Sequence, residues 1–517
     1  MKGTKMKAKK LTIASLALAV IVAMTGCAGS DGDTPAAGDN VLRVAFKTAA
    51  PSSLDPATGS AGSDGTILWT IFDGLTSFDP ETLEVEPRLA QSWEWVDPVT
   101  LQLELVPGAL FQDGTAVDAE AVKFNLDRNA AGEGEVKIKA DLANVESVEA
   151  VGETTVILHL KTPSASLLLT LADRAGMMVS PTAYEADPEG FASNPVGAGP
   201  FEFVKWDTNS LIEVTKFEDY WNADAVSLDG IEFYLMPDPQ TRLNALRSGD
   251  VDLIYSVDPS TVETIEADEN LTVESAPSLA YYELFMNLGV APFDNLQVRQ
   301  AIAMAIDRDA LVKAVQGDNG EAAWMPVPSQ SFAFTEDLKG EPKYDPERAK
   351  ELMIDAGYGD GFEVDMAFEL GSLNARRAEI IAAQLAEIGV TVNLLPGETA
   401  ANTAKYLDGT ITLLNQQWTG RLDPAQTYRG QFSPTAFTNV GGFVDPRIDA
   451  ALIAGEEGAT LEERAAAYTT LNEVLIEQAF NVPLYYLADI VAYNNRVQGF
   501  VPNLLAKPRF DGVTLGG

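Results

Sequence analysis

The chain has 517 residues, 46% of them hydrophobic, with 35 basic and 76 acidic side chains and a formal charge of −41. A field of that sign repels phosphate backbones and excludes a nucleic-acid partner. A single histidine and a single cysteine rule out the Cys/His zinc patterns and most nucleophilic catalysis, because a Ser-His-Asp or Cys-His site would have to use His159.

The first predicted element is an export signal. Lys2, Lys5, Lys7, Lys9 and Lys10 precede an uncharged apolar run over 11–24, too short for a spanning helix of about 20 residues. Ala23-Met24-Thr25-Gly26-Cys27 then resembles a bacterial lipobox, which implies that Cys27 becomes the lipid-modified first residue of the mature protein. The alternative is an ordinary secretory signal with an incidental cysteine. No second cysteine is present for a disulfide, and no metal site or cofactor is expected. Residues 27–40, rich in Gly, Asp, Ala and Pro, cannot bury enough apolar surface to fold and read as a flexible tether. With those five lysines removed, the remainder carries 30 basic (35 less five) against 76 acidic residues, or −46. Nearly 480 residues then demand more than one core.

From Val41 the signals alternate between strand and helix. Val41 to Phe46 and 101–106 read as strands, Asp118 to Asn129 as a helix, and 150–161 as a strand with Val156, Leu158 and Leu160 on one face. His159 falls on the opposite, solvent face. The spacing of Val298, Ala301, Ile302, Ala305 and Ile306 predicts one helix from Asp294 or Asn295 through Val315. Asp345-Pro346-Glu347 opens a helix that Gly357 stops. Strand 362–369, helix 376–388 and strand 390–395 form a β-α-β unit, which favours a parallel or mixed sheet. Thr460 and Glu463 form a capping box for a helix to about Ala479, and a last strand runs from Val482 to about Tyr493. G-x-S-x-G, S-x-x-K and phosphate-binding-loop patterns are absent.

Several segments in order resemble the solute-binding proteins of peptide-type ABC importers, family 5, the oligopeptide, dipeptide and nickel group. Pro87-Arg88-Leu89-Ala90-Gln91-Ser92-Trp93 resembles P-x-L-A-x-S-W. Phe111-Gln112-Asp113-Gly114-Thr115 resembles F-x-D-G-T. Pro195-Val196-Gly197-Ala198-Gly199-Pro200-Phe201, Tyr220-Trp221, Val298-Arg299-Gln300-Ala301-Ile302 and Tyr344-Asp345-Pro346 follow. The resemblance implies an α/β, two-lobed periplasmic-binding-protein-like fold (type II, cluster C) with mixed sheets, a hinge and an extra subdomain inserted in lobe one. The expected division is signal peptide 1–26, tether 27–40, lobe one 41–82, inserted subdomain 83–198, lobe one 199–287, lobe two 288–485, and a return to lobe one over 486–517. The chain would cross near 286–291 and return near 480–490.

In peptide-binding members a loop of lobe two carries, after a Trp, an Asp that pairs with the peptide α-amine. Here the segment is Gln416-Gln417-Trp418-Thr419-Gly420-Arg421-Leu422-Asp423-Pro424, one residue shorter, with Arg421 where that Asp would stand. Arg421 offers a planar fork to a carboxylate or phosphate, or else pairs with Asp423 or another acid. Asp423 is a second candidate, recovering an amine contact from a shifted position. Trp418 is either a stacking wall or a core residue. One of Tyr281 and Tyr282 points into the cleft and the other into the core. Asn439 lies in a turn that either lines the cleft or is only a turn, and the loop 59–64 offers backbone N–H groups or is plain surface. The expected partners are a small-molecule solute (peptide, opine-like conjugate or other organic anion), an ABC permease with its ATPase subunits, and the membrane through the N-terminal lipid. A monomeric, non-enzymatic carrier on the outer face of the cytoplasmic membrane is the leading expectation. A lipid-anchored carboxylate- or metal-dependent hydrolase and a ligand receptor feeding a sensor are the alternatives.

Overall fold

The computed structural model describes residues 40–47, 51–59, 64–132, 136–436 and 438–516. The export signal, Cys27 and the tether up to residue 39 lie outside the described residues, as do positions 60–63 of the 59–64 loop.

Two long strands organise the rest. Leu271–Met286 and Asn481–Asn494 pair antiparallel along most of their length. At one end Asn481–Asn494 meets Leu253–Tyr255, beyond which lie Val41–Phe46, Gly230–Leu235, Leu211–Lys216 and Phe201–Asp207. At the other end Leu271–Met286 meets Leu413–Trp418, followed by Phe362–Glu369 and Val390–Gly397. The β-α-β unit is parallel as expected, with Phe362–Glu369 in register against Val390–Gly397.

The result is a mixed α/β fold of two lobes that share one sheet. Strands buried on both faces, such as Leu253–Tyr255 and most of Leu271–Met286, sit where helices cover the sheet on each side. The ladder between the two long strands slips register between Pro277 and Tyr281. There Ser278 Oγ donates to the Leu487 carbonyl (2.7 Å) and the Leu279 amide to the Leu504 carbonyl (2.7 Å). Leu279 packs in one hydrophobic core, with Val44, Phe233 and Val491, whereas Tyr282 and Leu284 pack in another, with Val298, Met366 and Leu484. The interruption at 278–280 precedes the stretch 286–291 that the sequence suggested for the crossing.

A separate four-stranded antiparallel sheet, Ala90–Asp97, Thr100–Leu105, Thr155–Leu160 and Val145–Val151, has its own core of Leu101, Leu103, Val156 and Leu158 under the helix Ala119–Ala131. The single strand expected over 150–161 is two, turned at Gly152 (φ +64°). His159 is on the outer face, its Nε2 3.8 Å from Glu149.

One predicted helix is also two. Leu296–Ala305 ends before Asp307, whose carboxylate accepts from the Ala310 amide and starts Arg308–Gln316. A side-chain cap here overrides a continuous apolar period. Arg308 then turns inward to the Pro483 and Ala303 carbonyls. The helix over 376–388 runs Ser372–Ala386, and the Thr460/Glu463 capping box opens Leu461–Gln478.

Family-like landmarks hold the frame together. Gln112 donates to the Ile71, Gly199 and Phe201 carbonyls and accepts from Gly197 N. A Cβ on Gly197 would lie 2.1 Å from the Ile71 carbonyl, so no side chain fits there. Tyr220 and Trp221 both donate to Asp73, which Arg88 also holds.

Candidate functional site

The loop after Leu413–Trp418 reaches from one core to the other. Trp418 ends its strand opposite Tyr281, and its ring packs on Gly430, where a Cβ would stand 3.1 Å away. Gly420 has φ +67°, and a Cβ there would meet Leu279 Cβ at 2.4 Å. Only glycine fits that approach. Leu422 then enters the core that holds Leu279, and Asp423 starts the helix Pro424–Phe432.

Three cavities surround this loop. The first, about 460 Å³, is lined by Trp418, Arg421, Asp173, Arg174, Arg429 and Glu456 among others. A second, about 480 Å³, has Lys47, Asp489, Lys507, Ser278, Gln417 and Thr419 in its wall. The third, about 470 Å³, is mostly apolar, with Leu83, Leu169, Leu279, Phe332 and Leu422, and Arg421 at its edge. Such volumes suit small organic ligands.

Arg421 therefore borders two cavities. Its Nη1 donates to Thr419 Oγ1 (2.9 Å) and the Gly420 carbonyl (2.7 Å), and its guanidinium lies 5.3 Å from the Trp418 ring. No carboxylate among the described residues comes within 4.0 Å of it. Burial pulls its pKa down; Asp141 and Asp173 oppose this and Arg174 adds to it. Lys507, 8% exposed and likewise without an ion-pair partner among the described residues, is pushed down to about 8. Burial is the main cause there, Asp173 opposes it, and Arg174, Arg421 and Lys47 contribute. Burial raises the pKa of Asp173, but Lys507 and Arg174 outweigh this and keep it below its ordinary value. Arg174 is fixed by the Gly59 carbonyl (2.5 Å). Three cations thus face one region in which Asp141 and Asp173 are the acids acting on Arg421, in a chain of strongly negative charge.

The other sequence-based candidates fall elsewhere. Asp423 does not pair with Arg421. Its Oδ1 accepts from Arg464 (2.5 Å) and from the Ala425 amide (2.8 Å), so it is a buried helix cap and ion pair at the edge of the apolar cavity. Tyr281 is core: it is fully buried, donates to Gln431 (2.9 Å) and packs on Tyr486. Tyr282 is core too, bonded to Glu369 and stacked under Arg377. The strand is buried on both faces at this point, and neither tyrosine lines any of these three cavities. Asn439 donates to the Ser433 and Phe443 carbonyls and accepts from the Phe443 amide, which makes it the clasp of its own loop. Trp418 and Arg421 meet in the first cavity, and Arg421 and Asp423 in the apolar one. Lys47, Asp173, Arg174, Asp489 and Lys507 were not singled out from the sequence.

Contacts also cross between the lobes. Glu456 accepts from Ser164 (2.5 Å) and Ser166 (2.8 Å), and Gln426 donates to Thr170 (3.0 Å); within its own lobe Glu456 also pairs with Arg429 (2.5 Å).

The family model for bacterial extracellular solute-binding proteins, family 5 (middle), matches residues 84–439. The glutathione-binding protein GsiB of Pectobacterium atrosepticum is 30% identical over 465 residues, covering 87% of this chain and 89% of that protein. The structure is similar to DppA from Helicobacter pylori in complex with the peptide STSA, with TM-score 0.81 and 26% identity over 92% of this chain and 98% of that one. It is equally similar to AgaA in complex with agropinic acid from A. tumefacien R10, with TM-score 0.81 and 26% identity over 92% and 99% of the two chains.

Proposed function

The chain belongs to the bacterial extracellular solute-binding proteins of family 5, which serve ABC importers, and we propose that its own solute is a peptide-like or other organic molecule carrying an anionic group, held at Arg421. The observation that carries this reading is the convergence of Arg421, Arg174 and Lys507 on one region, with no carboxylate within 4.0 Å of Arg421 among the described residues. An anion entering there takes charge-assisted bonds from a guanidinium already partly stripped of water. The apolar cavity beside Arg421 receives a hydrophobic part of the same solute. Relatives named for glutathione, a peptide and agropinic acid are consistent with solutes that bear carboxylates.

The action is capture and release without covalent change. Closure bends the shared ladder at its register break over 278–280, with lobe limits near those the sequence suggests, and the loaded protein meets its permease. Native mass spectrometry of freshly purified protein, followed by titration calorimetry with the solute it carries, tests the reading. Arg421→Ala should cost about 2 kcal/mol or more, some 30-fold in Kd, the scale for truncating one partner of a buried charge pair. A solute without an anionic group, or unchanged affinity in Arg421→Ala, would sink it.

We further propose that Cys27 anchors the chain to the outer face of the membrane. Replacing it by serine should move the protein from the membrane fraction to the soluble fraction, and retention at the membrane would reject the anchor.

A further inference from the structure

Asp489 is 2% exposed, yet neither of its carboxylate oxygens has a hydrogen-bond partner among the described residues. It lines the 480 Å³ cavity together with Lys47. Lys47 likewise makes no ion pair with any described residue. The two feel each other's charge, for each opposes the effect of burial on the other's pKa, but no nitrogen–oxygen approach within 4.0 Å joins them.

The sheet explains the gap. Lys47 follows the strand Val41–Phe46 and Asp489 lies on Asn481–Asn494, with Leu253–Tyr255 between them. Two strand spacings put their backbones about 10 Å apart. The Lys47 ammonium hangs over the intervening Tyr255 ring, 5.7 Å from its centroid. A buried carboxyl without a partner is costly to ionise, which is why burial raises the pKa of Asp489 to about 7, and an incoming cationic group would relieve that cost.

We propose that Lys47 and Asp489 form a subsite for a zwitterionic head group, an amine and a carboxylate on one carbon, with the ammonium on Asp489 and the carboxylate on Lys47. A neutral zwitterion satisfies both charges at once without adding net charge to the interior, which neither a simple cation nor a simple anion does. The rest of the solute then runs past Lys507 toward Arg421. The proposal rests on the solute-binding reading above but adds a demand of its own.

Calorimetry with four probes separates the two. γ-Glutamylglycine carries amine and carboxylate on one carbon, whereas its isomer α-glutamylglycine, of the same composition and charge, has no carboxylate on the carbon bearing its amine. The γ isomer should bind at least about 10-fold tighter, and N-acetyl-γ-glutamylglycine roughly 30-fold weaker than its parent. Free glutamate equal to the γ-dipeptide identifies a free amino acid as the source of the head; weaker binding identifies a conjugate. Asp489→Asn should abolish the preference for the free amine while the melting temperature without solute holds or rises, because an unpaired buried charge is lost. Equal affinity for the isomers, tolerance of acetylation, an undiminished amine preference in Asp489→Asn, or no binding by any of the four overturns the subsite. A solute that lacks this head but still depends on Arg421 would overturn the subsite and leave the broader reading standing.

Discussion

Glu283 is fully buried on the Leu271–Met286 strand, where its carboxyl accepts from Gln431 (2.8 Å) and from Asn481. Burial pushes its pKa well above the ordinary 4.5, even though those donors pull the other way. A carboxyl whose folded pKa exceeds its unfolded one binds its proton more tightly in the native state. The stability it lends is present at low pH and declines as pH rises from about 4.5 through the folded value. Without solute, the melting temperature should therefore fall between pH 5 and pH 9, and less so in Glu283→Gln. Parallel declines in the two proteins would refute this. At the same scale, Arg421 and Trp418 were legible in the sequence because a local motif frames them. Lys47, Arg174 and Lys507 were not, since only folding brings positions so far apart in the chain to one region. Tyr281 is core because its half of the strand, 278–286, is buried on both faces, so alternation carried no information about the cleft.

The elements themselves were read well where the signal was local. Asp345 and Thr460 cap their helices as their side chains suggest, and Asp118, read as the first residue of its helix, is the cap of Ala119–Ala131. The failures were competitions: Asp307 as a cap against the apolar period of 296–316, and Gly152 as a turn inside an alternating run. The helix Pro446–Glu457 carries a role that no periodicity announces. Its Glu456 is the acceptor for Ser164 and Ser166 and the partner of Arg429, and so joins two segments that belong to different cores. Hydrogen bonds to a charged group contribute about 1.5–3 kcal/mol each. Glu456→Ala should thus speed solute dissociation roughly 10-fold or more and enlarge the radius of gyration seen by small-angle scattering. An unaltered off-rate would mean that these contacts do not hold the lobes together.

For the whole molecule, two lobes share one sheet through two strands, and the break in their ladder is where the cores separate. The fold class was legible because ordered landmarks across the chain point to it. The position of the break was not, because it depends on how two strands some 200 residues apart slip past each other.

The cation cluster has a consequence for how fast a solute arrives. Seen from a distance the protein is a strongly negative body, so an anion is turned away before it can sense Arg421, Arg174 and Lys507. Added salt shortens the reach of that outer field, to about 8 Å at physiological ionic strength, while the buried cations remain largely unscreened. Stopped-flow association of an anionic solute should accordingly quicken as salt rises from about 10 mM to 150 mM, the reverse of ordinary electrostatic steering, with little change in the rate of release. A falling association rate would mean that the near field already extends beyond the rim. The acid-rich surface would then act as a sieve on traffic, set to the ionic strength in which the protein works.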